Sequence, residues 1–384
     1  DTVAPIAPVV TTTSMTTNNT RPSISGTAEA GATISILDGT TVLGTTQASS
    51  SGAWTYQTPV LSESAHILTV KATDTAGNIS AASKSVTITV DVTPPAAPVI
   101  KTTTLLTNNT KPVLAGTAEA GSTVTIFDGQ NMLGTAVAST AGAWTFTPTT
   151  SLSEGAHSIT VKAKDIAGNV SSASSALSVT IDLTPPSTPT ITTQTSLSNI
   201  NKPVITGTAE AGSTVSILDG TKVLGTVVAT NGSWSYTPTT ALTDGAHVLT
   251  AKATDVAGNV SAASGAVTLT IDTVAPIAPV VTTTSMTTNN TRPLIAGTGE
   301  KGAIISIYDG STVVGSTQID SLGNWSCQTS TLSQASHTLT VKATDAAGNI
   351  SAASKPVTIG VDITPPSLPV ITTTTVLTLS LIHI

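Results

Sequence analysis

Apolar and polar residues alternate in short runs along the chain, and turn residues interrupt the runs roughly every 8 to 12 positions, the spacing of an all-β domain. Runs such as His157-Ser-Ile-Thr-Val-Lys-Ala-Lys164 and His247-Val-Leu-Thr-Ala-Lys-Ala-Thr254 repeat with period 2. That period predicts half-buried strands rather than amphipathic helices, and no segment has helical spacing. Over 91–181 the pattern predicts a proline-rich linker at Asp91–Pro98 and strand A at about 99–106. Strand B follows at Lys111 to Ala118, C at Thr123 to Phe127 and D at about 131–138. E carries Trp144 and Phe146, F starts at about His157, and G ends near Ile181. Pro112 sits at the beginning of B, where a missing N–H is tolerable. Asp128-Gly129 opens the C–D hairpin.

The stretch Asp165-Ile-Ala-Gly-Asn169 recurs as DTAGN at 74, DVAGN at 255 and DAAGN at 345, at intervals of 91, 90 and 90 residues. Each copy lies between alternating runs, so it predicts a tight acidic turn between strands F and G. Its Asp hydrogen-bonds forward to the backbone, and Gly and Asn tolerate the positive φ of a reversal. The carboxylate is expected at the tip, facing outward. The period divides the chain into repeats at 1–90, 91–181, 182–271 and 272–361, with the start of a fifth at 362–378. The closing Leu379-Ser-Leu-Ile-His-Ile384 breaks the pattern and reads as a translated adapter end rather than native sequence. About seven short strands per repeat predict tandem immunoglobulin-like antiparallel β-sandwiches in a linear array.

Composition agrees with strands and turns: charged residues are 9% and aromatics 2% of the chain. The net charge of -7 and pI near 5.1 supply no basic stripe for nucleic acid. No apolar run reaches the roughly 18 residues of a membrane helix. The chain starts without Met or a signal peptide, so an interior fragment is expected. A single cysteine excludes an intramolecular disulfide framework. Cys327 lies two residues after Trp325, where the other repeats place Tyr56, Phe146 and Tyr236 after Trp54, Trp144 and Trp234. It is therefore expected to fill the core.

Twenty of the 21 acidic residues fall five to a repeat, and Asp362 is the last. If successive strands alternate in direction, the B–C, D–E and F–G loops share the pole where the preceding linker arrives. Asp91 of the linker, Glu119 of the B–C loop and Asp165 of the F–G loop then converge. The equivalent sets are Asp182, Glu210 and Asp255; Asp272, Glu300 and Asp345; and Asp1, Glu29 and Asp74. Three converging carboxylates repel unless neutralised, and their oxygens suit Ca²⁺. A structural Ca²⁺ at each junction is one expectation, and solvated turn carboxylates are the other. Asp38, Asp128, Asp219 and Asp309 fall at the opposite pole as hairpin residues, or as a second cation site. Glu63, Glu154 and Asp244 share that pole, but Gln334 stands in the fourth repeat.

His66, His157, His247 and His337 each begin strand F without a second His or Cys at metal-ligand spacing, so a structural role is expected. No G-x-S-x-G elbow or nucleophile–base arrangement is distinguishable, which argues against a hydrolase. Asn78, Asn169, Asn259 and Asn349 begin N-x-S sequences and read as turn residues before glycan acceptors.

At these residues the chain resembles the bacterial Ig-like repeats of giant secreted adhesins and biofilm-associated surface proteins. The motifs are the linkers DVTPP, DLTPP and DITPP, GTAEAG at 26, 116 and 207, the Asp-Gly after strand C, the single Trp and D-x-A-G-N. Repeats one and four depart with DTVAP linkers, and GTGEKG places Lys301 beside Glu300, which weakens a cation site there. The resemblance implies a non-enzymatic extender at the bacterial cell surface, often stiffened by Ca²⁺ at domain junctions. Any host or matrix ligand is then bound through regions outside this sequence. The alternatives are an Ig-like module binding carbohydrate or protein directly, or an accessory segment of a secreted polysaccharide-active enzyme.

Overall fold

The computed structural model describes residues 1–372, and their regular structure is β throughout. The adapter-like tail and the end of the fifth repeat's beginning lie outside the described residues. In the first repeat the strands are β1 (Val9–Val10), β2 (Met15–Thr17), β3 (Ser23–Thr27) and β4 (Thr33–Asp38). β5 (Thr41–Gln47), β6 (Ala53–Gln57), β7 (Ala65–Thr73) and β8 (Val86–Val90) complete it. They form a three-stranded sheet, β1-β3-β6, and a five-stranded sheet, β2-β8-β7-β4-β5. Period 2 decides which side chains enter the core: Ile34 and Ile36 of β4 and Leu68, Val70 and Ala72 of β7 are buried between exposed or half-buried neighbours.

The second repeat copies this order with β9 (Val99–Ile100), β10 (Leu105–Thr107), β11 (Leu114–Thr117) and β12 (Thr123–Asp128). β13 (Asn131–Val137), β14 (Ala143–Phe146), β15 (Gly155–Lys164) and β16 (Leu177–Ile181) follow. The same eight elements recur over Thr190–Ile271 and Val280–Val361. The chain divides into two compact units. One comprises Asp1–Pro185 with Val256–Asn259, the other Pro186–Asp255 with the chain from Val260 onward.

Two local features depart from the sequence expectation. Strand A is split: β9 pairs antiparallel with β11, whereas β10 crosses to the other sheet and runs parallel to β16. The split lies at Lys101-Thr-Thr-Thr104. There the Lys101 and Thr102 N–H groups both donate to Ala115 O, at 2.8 and 3.2 Å, and the Ala115 N–H donates to Thr102 Oγ1 at 2.8 Å. A side-chain oxygen thus replaces a ladder carbonyl, and the chain leaves the sheet. Strand G also starts late, because Ser171 and Ser174 accept the Ala163 and Val161 N–H groups at 2.9 and 3.1 Å through their hydroxyls. Those bonds hold 170–176 against β15 before regular pairing begins.

Each core is built around one tryptophan. Trp144 is 2% exposed and lies over Gly116, which faces it across β11 and β14. A Cβ on Gly116 would come within 2.0 Å of Val99 O and 2.6 Å of Trp144 Cζ2, so the indole and strand β9 both require this glycine. The equivalent glycines are Gly26, Gly207 and Gly297. Cys327 is buried in the fourth core, in the place of Tyr56, Phe146 and Tyr236, and burial pushes its thiol above the ordinary range. That disfavours the reactive thiolate.

Gly116→Ala forces either β9 or Trp144 to move. Overpacking of this kind costs about 1–3 kcal/mol or more. Denaturant unfolding is expected to show the second repeat melting early, with Ala115→Gly costing less.

Candidate functional site

The F–G turn of the second repeat is closed by its own first and last residues. Asp165 Oδ1 accepts the N–H groups of Gly168 at 2.7 Å and Asn169 at 2.8 Å, while Oδ2 accepts Asn169 Nδ2 at 2.9 Å. Gly168 has φ 104°, which L side chains rarely adopt. The carboxylate therefore turns inward: Asp165 is 8% exposed, contrary to the outward orientation expected from the sequence. Burial opposes its ionisation, but the bonds from the Asn169 side chain and the turn amides outweigh that cost and hold its pKa below the ordinary carboxylate value. Asp74 and Asp345 make the same carboxylate–amide pair with Asn78 and Asn349, at 2.8 Å each, and their pKa values are likewise depressed.

The turn reaches beyond its own repeat. Asn169 Nδ2 also donates to the backbone carbonyl of Asp91 in the arriving linker, at 2.9 Å. Asp91 N–H donates in turn to Thr17 O of the first repeat at 3.0 Å, and the neighbouring Asn18 N–H donates to Ala167 O at 3.0 Å. Gly168 lies against Asn18, whose side-chain atoms would be 3.4–3.7 Å from an added Cβ. Linker, turn and preceding repeat are thus joined by three hydrogen bonds. The second unit repeats part of this set between its two repeats: Asp272 N–H donates to Ser198 O at 3.0 Å, and Asn349 Nδ2 donates to Asp272 O at 2.8 Å.

The residues expected to bind Ca²⁺ occupy the expected loops, but their carboxylates are used differently. Asp91 Oδ1 accepts Thr93 N–H at 3.0 Å. Asp182 and Asp272 accept Thr184 and Val274 in the same way, and Asp1 accepts Val3 at 2.8 Å. Glu29, Glu119, Glu210 and Glu300 are exposed. Glu119 and Glu210 engage the following Ser122 and Ser213 through their backbone carbonyls. Asp255 lies in the third copy of the F–G turn. Among the described residues, no group of three or more His, Cys, Asp or Glu side chains is placed to hold a metal ion. The residues as placed do not fit a three-carboxylate Ca²⁺ site. Of the three carboxylates, Asp165 takes its donors from the Asn169 amide and the turn N–H groups.

The opposite pole holds a second arrangement, which sequence reasoning missed. Asp38, Asp128, Asp219 and Asp309 each accept Nδ1 of the His at the start of strand F: His66 at 2.6 Å, and His157, His247 and His337 at 2.7 Å. The partners are 28 or 29 residues apart, and the C–F strand register brings them together. The available signal was that both recur in every repeat. In the first repeat the Ser62 and Ser64 hydroxyls lie 3.4 and 3.3 Å from Nε2, superficially a nucleophile–base–acid series. A closer contact decides its chemistry: Nε2 faces the Ser62 carbonyl at 3.0 Å, so it carries a hydrogen and has no lone pair with which to take a proton.

No helix among the described residues is long and apolar enough to cross a membrane. Exoglucanase B of Cellulomonas fimi is 37% identical over 293 residues, covering 70% of this chain and 26% of that protein. Exoglucanase A of the same organism is 36% identical over 293 residues, covering 70% of this chain and 32% of that protein. The chain therefore spans 26–32% of the length of these relatives. Solved fibronectin(III)-like modules of Clostridium thermocellum CbhA align at 17% identity over 46% of this chain and 94% of theirs, with a TM-score of 0.34. The bacterial Ig-like domain family matches residues 10–92, 100–183, 187–273 and 281–363. With four sandwiches built around one Trp each and matched along nearly their whole length, the chain belongs to the bacterial Ig-like domain family, in four tandem copies.

Proposed function

We propose that the chain is a non-catalytic spacer of an extracellular bacterial protein, an extender that holds functional regions apart. The observation that carries this reading is the junction itself, where Asn169 ties its own turn to the arriving linker and Asn18 ties the preceding repeat to Ala167. A spacer transmits position only if consecutive modules are fastened. Direct carbohydrate binding is less well supported: all nine aromatic residues are buried or half-buried, so no exposed ring offers a stacking face for sugars. The sequence resemblance supports a cell-surface adhesin as the host of such an extender. The relatives named as exoglucanases favour a second reading, a spacer within a secreted polysaccharide-degrading protein. Cellulose pull-down by the protein encoded by the complete gene, and by the same protein lacking this region, separates the two hosts.

Asn169→Ala leaves the Asp91 carbonyl and part of the Asp165 carboxylate unpaired, and is expected to cost about 1–3 kcal/mol. NMR relaxation should show repeats one and two tumbling as one body in the native chain and separately in the variant. Independent tumbling in the native chain contradicts the fastened junction. The same turn gives an acid dependence. Because the Asp165 pKa is lowered on folding, its contribution is complete above the unfolded value of about 3.9 and is lost as pH falls through the folded value.

Stiffening by Ca²⁺, implied by the resemblance, is a competing proposal for the same junctions. An extracellular site with Kd of about 10⁻⁴ to 10⁻³ M adds about 2.7 kcal/mol at 100-fold excess of ion. The amide-held junction predicts equal melting temperatures in millimolar Ca²⁺ and in chelator. A clear rise with Ca²⁺ favours the ion.

A further inference from the structure

We propose that the Asp–His pair at the C–D pole is a proton-held latch, one in every repeat, in which the folded state keeps the imidazole doubly protonated and alkaline pH releases it. The geometry of the two ring nitrogens carries this. Nδ1 lies 2.6–2.7 Å from an Asp carboxylate oxygen in all four repeats. Nε2 lies 2.8–3.0 Å from the backbone carbonyl four residues earlier, that of Ser62, Ser153, Thr243 or Ser333. Both partners are acceptors when the carboxylate is ionised. A neutral imidazole has a single N–H, so one of the two contacts would set lone pair against lone pair at hydrogen-bond distance. The imidazolium donates at both.

The surroundings leave the aspartate and the loop carbonyl as the shared causes. Across the sheet each His faces an apolar residue of strand G: Ile88, Val179, Leu269 or Ile359. In the E–F loop, Glu63, Glu154 and Asp244 are engaged by the hydroxyls of Thr93, Thr184 and Thr273, whereas Gln334 takes that place in the fourth repeat. Lys222 pairs opposite Asp219 in the third hairpin, where the other repeats have Thr41, Asn131 and Thr312. The latch geometry is the same in all four cases, so neither the loop acid nor the lysine creates it. Burial opposes the charge on His66, His157 and His247, but the Asp and carbonyl bonds outweigh it and raise the pKa. At His337 the Ser333 carbonyl leads, followed by Asp309, with the same result.

The latch joins two segments that no ladder otherwise closes at this pole, the C–D hairpin and the E–F loop. Losing a proton leaves one of its two bonds unmade. Since the folded pKa lies above the unfolded value of about 6.5, the stabilisation is complete below that pH and disappears as pH rises through the folded value. All four repeats then loosen as pH rises.

The test is an NMR titration of the imidazole nitrogens in the whole chain between pH 5 and 9, alongside melting temperatures. The latch predicts that the imidazoles of His66, His157, His247 and His337, four of the chain's five, are cationic at pH 6.5 and titrate above it, and that the melting temperature falls from pH 6 to pH 9. Replacing the four with His66→Gln, His157→Gln, His247→Gln and His337→Gln should flatten that fall. If this variant does not fold, the native titration decides alone. Neutral imidazoles at pH 6 among these four, or titration of them at or below 6.5, overturn the proposal, as does a native melting temperature that does not fall between pH 6 and 9.

Discussion

Three hydrogen bonds hold the junction between the first two repeats, and one of them comes from a side-chain amide that also closes the F–G turn. Asn169 Nδ2 donates to its own turn at Asp165 and to the linker carbonyl of Asp91, so the turn cannot keep its shape and release the linker independently. The other letters of the motif follow from this requirement. Asp165 supplies a buried acceptor for two turn amides, Ala167 offers its carbonyl to Asn18, and Gly168 takes a positive φ at a point where Asn18 approaches closely. A side chain at 168 would be strained by that φ, with the Asn18 side chain at ordinary contact distance from its Cβ.

The two poles of each sandwich solve the same electrostatic problem in different ways. A buried or half-buried carboxylate needs donors, and metal ions are one source among several. At the linker pole the donors are a neutral amide and turn N–H groups. At the hairpin pole the donor is an imidazole already engaged by a carbonyl on its other side. A chain with net charge -7 thereby holds its recurrent aspartates with partners from its own repeat. The linker pole, satisfied without titrating donors, weakens only in acid, while the hairpin pole weakens toward alkaline pH.

Much of this architecture was legible in the sequence because it is local or periodic. Period 2 identified the inward face of strands such as Ala65–Thr73, and the 90-residue recurrence of D-x-A-G-N set the turns. Alternation of strands correctly put Asp91 and Asp165 at one pole and Asp128 at the other. What escaped was decided by hydrogen-bond partners rather than by pattern. Thr102 looks like any strand threonine, yet its hydroxyl diverts the chain from one sheet to the other. Asp165 reads as a surface turn acid until the amides that draw it inward are known. Counting carboxylates suggested a cation, since the sequence shows charges but not that Asp165 already has amide donors in its own turn. The Asp128–His157 pair needed the register of two strands separated by a hairpin and a further strand, which periodicity does not supply.

Amide hydrogen exchange at Asn18, followed by NMR in chelator, tests whether the junction is fastened without an ion. Asn18 lies in a turn of the first repeat, and its N–H is held by Ala167 O of the second at 3.0 Å. A fastened junction predicts protection well above that of neighbouring exposed turn amides, with no change on adding Ca²⁺. Exchange at the unprotected rate in chelator, or protection that arises only when Ca²⁺ is added, would contradict it.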